Sequence, residues 1–323
     1  MRPAAWLLTA ALVAAPLGVA RAYRIASPPP PPPPPADFWS EALHPNSQRV
    51  AELVMQLEAM LRQLDDPYGA TDRTRIEMVR EGNRLARQAR QLDPDDLDAL
   101  YFSGAFADAA GRALDAERVL TEYTRRAALE ARRADALVRL GRIALRQGRV
   151  DEAVAQLRQA SAQFSDRFTM VRSRIALAHA LEAQGDIGAA VATLIALTEA
   201  LPLDGDPASV AAHVALAVIY DRDEQLTAAF DVLLRLRTAM DSEYVRLADD
   251  ALRAFPPPLA IDLHYYRALV YETWPYLTAE AARAWRAYEV GGAPTGLAAR
   301  AGEHRRLLEL ELARARPKPK RPK

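Results

Sequence analysis

The 323-residue chain has no cysteine, which excludes a disulfide framework, a thiolate metal site, a cysteine nucleophile and a lipid-modified cysteine. It also lacks net charge: 42 basic side chains balance 42 acidic ones, leaving no general footprint for nucleic acid or an anionic membrane. Lysine is confined to Lys318, Lys320 and Lys323, so arginine carries nearly all the positive charge of the body. Aromatic residues are sparse, at 7%, and almost no strand-like alternation runs between Trp39 and Arg316. What the chain has in abundance is alanine, about a fifth of all residues and well above ordinary usage. Small residues at that density suit helices packed closely together. Half of the residues are hydrophobic, and 323 residues are long enough for two average domains or one repeat array.

Both ends read as lying outside the fold. Met1-Arg2-Pro3 precedes an uncharged run from Ala4 to Ala20 that includes Trp6, Leu7, Leu8, Leu12, Val13 and Leu17, the pattern of an export signal. At that length residues 1–22 fit a signal peptide or a signal anchor, and a cytoplasmic chain is the third alternative. Pro16 and Gly18 break the helix near its end, and Ala20-Arg21-Ala22 offers small residues where a signal peptidase reads, which favours cleavage. Arg21 and Arg24 weaken the case for a stable anchor. Either export reading places the body in a periplasm or cell envelope, with membrane contact only through an uncleaved N-terminal segment. Residues 23–38 form a proline-rich spacer, in which Pro28 to Pro35 fix a polyproline II rod of about 25 Å. A ligand for a proline-reading domain is its functional alternative. Residues 317–323 alternate proline with positive charge and read as a basic disordered tail, with weak binding to an acidic surface as the sharper alternative.

Between these ends, amphipathic runs recur, broken at Gly, Pro or Asp. The clearest spans Asp135 to Gln163: Leu137, Leu140, Gly141 and Ala144 stripe a first helix, Gln147-Gly148-Arg149 turns the chain, and Ala153, Leu157 and Ala160 stripe a second. Gly141 removes a side chain where two helices must approach, and Gly148 supplies a left-handed helix end. Upstream, Gly104, Ala107, Gly111, Ala116, Leu120 and Tyr123 repeat the layout. Downstream, Leu177, Ala178, Leu181, Gly185, Ala190, Leu194 and Leu197 do so again. The turn glycines Gly111, Gly148 and Gly185 keep one interval, inside the range that marks helical arrays.

On these residues the chain resembles the tetratricopeptide repeat family. Weaker units follow at Leu216, Ala217, Tyr220, Ala229, Leu233 and Leu236, where Asp223-Glu224 replaces the turn glycine, and at Tyr265, Ala268, Leu269, Ala281, Trp285 and Tyr288, where Trp274-Pro275 interrupts the turn. Ahead of them, Ala86, Ala89 and Leu92-Asp93-Pro94 close a unit whose first helix is expected at 41–64. The resemblance implies an all-α fold, a right-handed tetratricopeptide-like α-solenoid of helix-turn-helix repeats over 39–316. The interval between units exceeds the family's own, an extra helix is expected over 242–254, and 295–316 is expected as a C-terminal capping helix.

The resemblance also implies that the first helix of each unit lines a concave face. Counted from the small residue of each unit, the partner-binding slots hold Tyr101, Ala105 and Asp108; Val138, Arg142 and Leu145; Ile175, His179 and Glu182; Val214, Val218 and Asp221. Aliphatic centres with scattered charge suit an extended peptide or a helix of a partner protein. They do not suit the subclass that clamps a carboxylate with Lys and Asn. Packing against neighbouring helices is the bland account of each slot. The five histidines, His44, His179, His213, His264 and His304, are isolated in sequence, and no nucleophile or hydrolase motif is present. The sequence therefore predicts no catalytic, metal or cofactor residues and an exported scaffold that binds envelope proteins. The alternative is a cell-wall or glycan-associated enzyme accessory using the aromatic-rich region 241–290, where Tyr265, Tyr266, Tyr271, Trp274, Tyr276 and Trp285 gather. Self-association through the same surfaces is a third reading.

Overall fold

The computed structural model describes residues 46–65, 71–128, 132–163 and 165–315. The expectations for the export segment, the proline spacer and the basic tail lie outside the described residues. The chain divides into two units, 1–43 and 44–323, and everything described below belongs to the second.

Fourteen α-helices and no strands occur among the described residues. They form six hairpins: α1 (Ser47–Asp65) with α2 (Asp72–Leu92), α3 (Leu97–Ala109) with α4 (Ala113–Arg126), α5 (Arg133–Arg146) with α6 (Val150–Ser161), α7 (Arg167–Gln184) with α8 (Ile187–Glu199), α9 (Pro207–Arg222) with α10 (Leu226–Met240), and α12 (Asp262–Glu272) with α13 (Thr278–Val290). A single helix, α11 (Tyr244–Ala254), intervenes before the last hairpin, and α14 (Thr295–Ala315) closes the array. The extra helix therefore starts two residues later than the sequence predicts, after a 3-10 turn at Asp241–Glu243. Trp274-Pro275 opens a second 3-10 turn, Pro275–Leu277, which accounts for the interrupted register of the last hairpin.

The helix bends are equivalent. Gly111, Gly148 and Gly185 have φ of 73°, 75° and 89°. At each, two hydrogen bonds close the first helix: Gly111 N donates to Asp108 O and Arg112 N to Ala107 O, Gly148 N to Leu145 O and Arg149 N to Ala144 O, Gly185 N to Glu182 O and Asp186 N to Leu181 O. This is the Schellman arrangement, which needs one left-handed residue. Glu224 repeats it at φ 60°, donating to Asp221 O while Gln225 N donates to Tyr220 O, so the turn without glycine keeps the geometry at a conformational cost.

Close approach inside each hairpin is set by the small residues. A Cβ built on Gly104 would lie 2.6 Å from Leu120 Cγ, and one on Gly141 would lie 2.5 Å from Leu157 Cγ. The next hairpin sets Ala178 where these glycines stand, with Leu194 fully buried at the equivalent place. The first helices α3, α7 and α9 begin at aspartate caps: Asp96 accepts from Ala99 N at 2.6 Å, Asp166 from Thr169 N at 2.9 Å, and Asp206 from Ala208 N at 3.4 Å. α5 joins the two halves of the core, with Ala136, Leu140 and Ile143 packing toward α1–α4 and Leu137, Val138 and Ala144 toward α6–α14.

Candidate binding groove

The opening turns of α3, α5, α7 and α9 share one surface. The end of α1 meets the starts of α3, α5, α7 and α9 around a groove of about 830 Å3, closed on one side by Ala254 and Phe255. Glu58, Leu61, Arg62 and Asp65 of α1 line it together with Tyr101, Asp135, Phe168, Thr169 and Arg172.

A buried polar network underlies it. The Tyr101 hydroxyl donates to Asp135 Oδ2 at 2.5 Å, and Arg139 Nε donates to the same oxygen at 2.6 Å. Arg172 Nη1 lies 3.5 Å from both Asp135 Oδ1 and Asp65 Oδ2, carrying the network from α7 to α1. Arg139 Nη1 lies 3.5 Å from Asp108, whose other oxygen pairs with Arg146 at 2.6 Å. Burial alone would raise the Asp135 carboxyl, but the Arg139 and Arg172 guanidiniums outweigh it and hold the group down at about 2. The Tyr101 hydroxyl is pushed well up by burial and by the Asp135 charge beside it, so it stays a donor. Guanidiniums also cover the aromatic faces: Arg132 lies 5.1 Å from the Phe102 ring centroid and Arg172 lies 5.2 Å from that of Phe168. Arg132 pairs in addition with Asp98 and, at 3.2 Å, with Glu58.

The structure distributes the expected slots in three ways. Tyr101 and Asp108 join the network around Asp135 and Arg139, with Tyr101 itself on the groove wall. Ala105, Val138, Leu145, Ile175, Val214 and Val218 are buried, so in this conformation they pack the core instead of presenting a free surface. Beside Ile175 the cover comes from the chain's own C-terminal part. Arg142 donates to Pro256 O at 3.4 Å, so the Phe255-Pro256-Pro257-Pro258 segment lies across the inner stripe beside Ile175. His179, Glu182 and Asp221 face a second polar network. His179 Nε2 bonds the Tyr266 hydroxyl, Glu182 pairs with Arg222, and Asp221 accepts from Tyr265 at 2.6 Å and Arg300 at 3.0 Å. The aromatics of the 241–290 region divide likewise: Tyr265, Tyr266 and Trp285 are buried in the junction of α12, α13 and α14, whereas Tyr276 is 69% exposed against a half-buried Trp274.

Asp65, Asp135, Arg139 and Arg172 were not among the expected slots. Two signals point to them in retrospect: Asp135 and Arg139 stand one helical turn apart, and Asp135 and Arg172 stand 37 residues apart, the interval of the turn glycines. No group of histidine and acidic residues suited to a metal occurs among the described residues, and no described helix is long and apolar enough to cross a membrane.

The tetratricopeptide repeat family matches residues 134–162, which is the α5–α6 hairpin. Cellulose synthase 2 operon protein C of Komagataeibacter xylinus is 35% identical over 168 residues, 51% of this chain, and the match spans 12% of that protein's length. Among solved structures, a putative kinesin light chain of Podosopora anserina with nearly identical TPR-like repeats is 20% identical over 59% of this chain and 94% of its own, with a TM-score of 0.47. YrrB, described as a TPR protein with an unusual peptide-binding site, is 17% identical over 66% of this chain and 96% of its own, with a TM-score of 0.43.

Proposed function

We propose, from the premise that this chain is a tetratricopeptide repeat protein, that it is an exported, non-catalytic scaffold holding a segment of another envelope protein in the groove between α1 and the starts of α3, α5, α7 and α9. The observation that carries this reading is the convergence of five helices on one 830 Å3 groove whose polar network is already fixed before any partner arrives. Preorganised groups lose little on binding, and the rim supplies exposed contacts: Arg62 and Arg167 have side chains 79% and 53% exposed. Mixed charge beside Leu61, Phe168 and Phe255 suits an extended, amphipathic peptide segment.

The test is site-specific photo-crosslinking in cells, with the reactive group placed at Arg62, at Arg167 and, as a control, at Arg158 on the outer helix α6. The same protein adduct at both rim positions and none at 158 is expected. Equal adducts at all three positions, or none at the rim, reject the groove. Export is supported by the apolar run at 4–20, and fractionation with N-terminal sequencing tests it: recovery from the cytoplasm with Met1 retained rejects it.

A second reading rests on the likeness to the cellulose synthase operon protein. In it the chain assists glucan assembly, and Trp274 with Tyr276, whose ring centroids lie 4.9 Å apart, offers an aromatic platform to a sugar chain. Binding of cello-oligosaccharides that is lost in Trp274→Ala and Tyr276→Ala supports this reading; no binding by the full chain rejects it.

A further inference from the structure

A second concavity, of about 340 Å3 and sharing no lining residue with the first, opens between the second helices α2 and α4. Its floor is made by small residues, Ala86 of α2 with Ser103 and Ala107 of α3, which is why the two helices leave a gap there. Its walls carry four guanidiniums, Arg87 and Arg90 from α2 and Arg112 and Arg118 from the start of α4, against the single carboxylate of Asp115. Asp115 is already taken by Arg112 at 3.2 Å. Arg87, Arg90 and Arg118 make no ion pair among the described residues, and Arg90 Nε is buried with no hydrogen-bond partner there.

The neighbouring hairpin shows that this imbalance is particular to the first gap. Arg149 occupies the helix start equivalent to Arg112, and there Glu117 of the preceding second helix pairs with it at 2.7 Å and Glu152 at 2.5 Å. In the first gap the preceding helix offers Arg112 only the neutral Asn83. The chain as a whole is charge-balanced, so three uncompensated guanidiniums in one small cleft are a local feature with no share in a general basic surface.

We propose that this cleft is a binding site for a phosphate-class anion, a phosphate or diphosphate group carried by a small molecule. Guanidinium forks approaching from two helices match acceptor oxygens that point several ways, which a multiply charged phosphate presents and a single carboxylate does not. The confined volume suits one compact group instead of a polymer track.

The experiment titrates the full chain with inorganic pyrophosphate by calorimetry, beside the double variant Arg90→Gln/Arg118→Gln and a control variant Arg158→Gln on α6. One saturable site is expected, weakened about tenfold or more in the double variant and unchanged in the control, as loss of charge-assisted contacts requires. Urea unfolding of the double variant keeps the wild-type midpoint if folding is intact; should it shift, Arg87→Gln, on the exposed rim, is read in its place. Absence of saturable binding, equal weakening by the control, or stoichiometry well above one overturns the proposal. So does binding to phosphatidylglycerol vesicles without binding to pyrophosphate. The groove at the starts of the first helices is not touched by these variants, so this outcome and that of the crosslinking are independent.

Discussion

The Tyr101 hydroxyl donates to Asp135 Oδ2 across 2.5 Å, tying the first helix of one hairpin to the first helix of the next. Because Arg139 and Arg172 converge on the same carboxylate, Asp135 is the group that neutralises the wall of the groove. Removing it as Asp135→Ala leaves two buried guanidiniums short of a partner, and a cost of about 3–5 kcal/mol is expected. Tyr101→Phe removes one hydrogen bond and is expected to cost about 1 kcal/mol. Urea unfolding of the two variants checks the ranking. Its pH dependence checks the cause: the Asp135 carboxyl is held at about 2 against an ordinary 3.8, so the wild type keeps this contribution above pH 3.8 and loses it as pH falls through 2. Equal midpoints for both variants would contradict the assigned roles.

At Glu224 a side chain is forced into the left-handed region that Gly111, Gly148 and Gly185 occupy at the equivalent bends. The hydrogen bonds of the bend are backbone bonds and survive substitution. Glu224→Gly is expected to stabilise the chain by about 1 kcal/mol, the relief of left-handed strain less the added freedom of glycine in the unfolded chain. Gly148→Ala is expected to lose a similar amount, although nothing within 4 Å would touch its Cβ. A lower urea midpoint for Glu224→Gly refutes the strain argument.

Gly141 acts differently, since its φ is helical and its role is space. A Cβ there meets Leu157 Cγ at 2.5 Å, inside contact distance. Gly141→Val is expected to destabilise by about 1–3 kcal/mol through overpacking, despite the better intrinsic backbone entropy of valine. The double variant Gly141→Val/Leu157→Ala is expected to recover much of that loss. A strictly additive double variant would show that the helix approach is not set by this pair.

The repeats were legible because their causes are local and periodic. A glycine at a left-handed bend and a small residue facing a leucine one helix later leave marks in sequence at fixed spacing, and even the Asp223-Glu224 replacement kept its place. The inner stripe was not legible in the same way. Residues such as Arg142, Ile175 and Asp221 have the pattern of a concave face, but the Phe255-Pro256-Pro257-Pro258 segment lies beside the first two and α14 bonds the third. The pairs that fix this arrangement are His179 with Tyr266, 87 residues apart, and His304 with Asp221, 83 apart. Such separations break the repeat interval and leave no periodic trace. The arginine cleft was hidden for a related reason: it depends on an acidic partner missing from one gap and present in the next.

His304 is the clasp of the capping helix, and its chemistry gives that clasp a direction in pH. Nδ1 lies 3.0 Å from Glu272 of α12 and Nε2 lies 3.2 Å from Asp221 of α9, so the doubly protonated ring donates to both carboxylates at once. Its face stacks on Trp285, 4.6 Å between centroids. Burial opposes the charge, but the hydrogen bonds the ring donates to Asp221 and Glu272 outweigh it and raise the group to about 9 from an ordinary 6.5. A folded-state value above the unfolded one contributes stability that is complete below pH 6.5 and fades as pH rises through 9. The shift corresponds to about 3 kcal/mol at most, and the side chain is only 12% exposed, so solvent screening removes little of it. Asp221 keeps Arg300 and Tyr265 as partners, so α14 is expected to loosen on deprotonation without the array unfolding. Hydrogen exchange of 295–315, corrected for intrinsic rates, should accelerate between pH 7 and pH 10 in the wild type. In His304→Gln it should already be fast at pH 7 and show no further rise. Protection of α14 that is indifferent to pH in the wild type would show that the clasp does not depend on the charged ring.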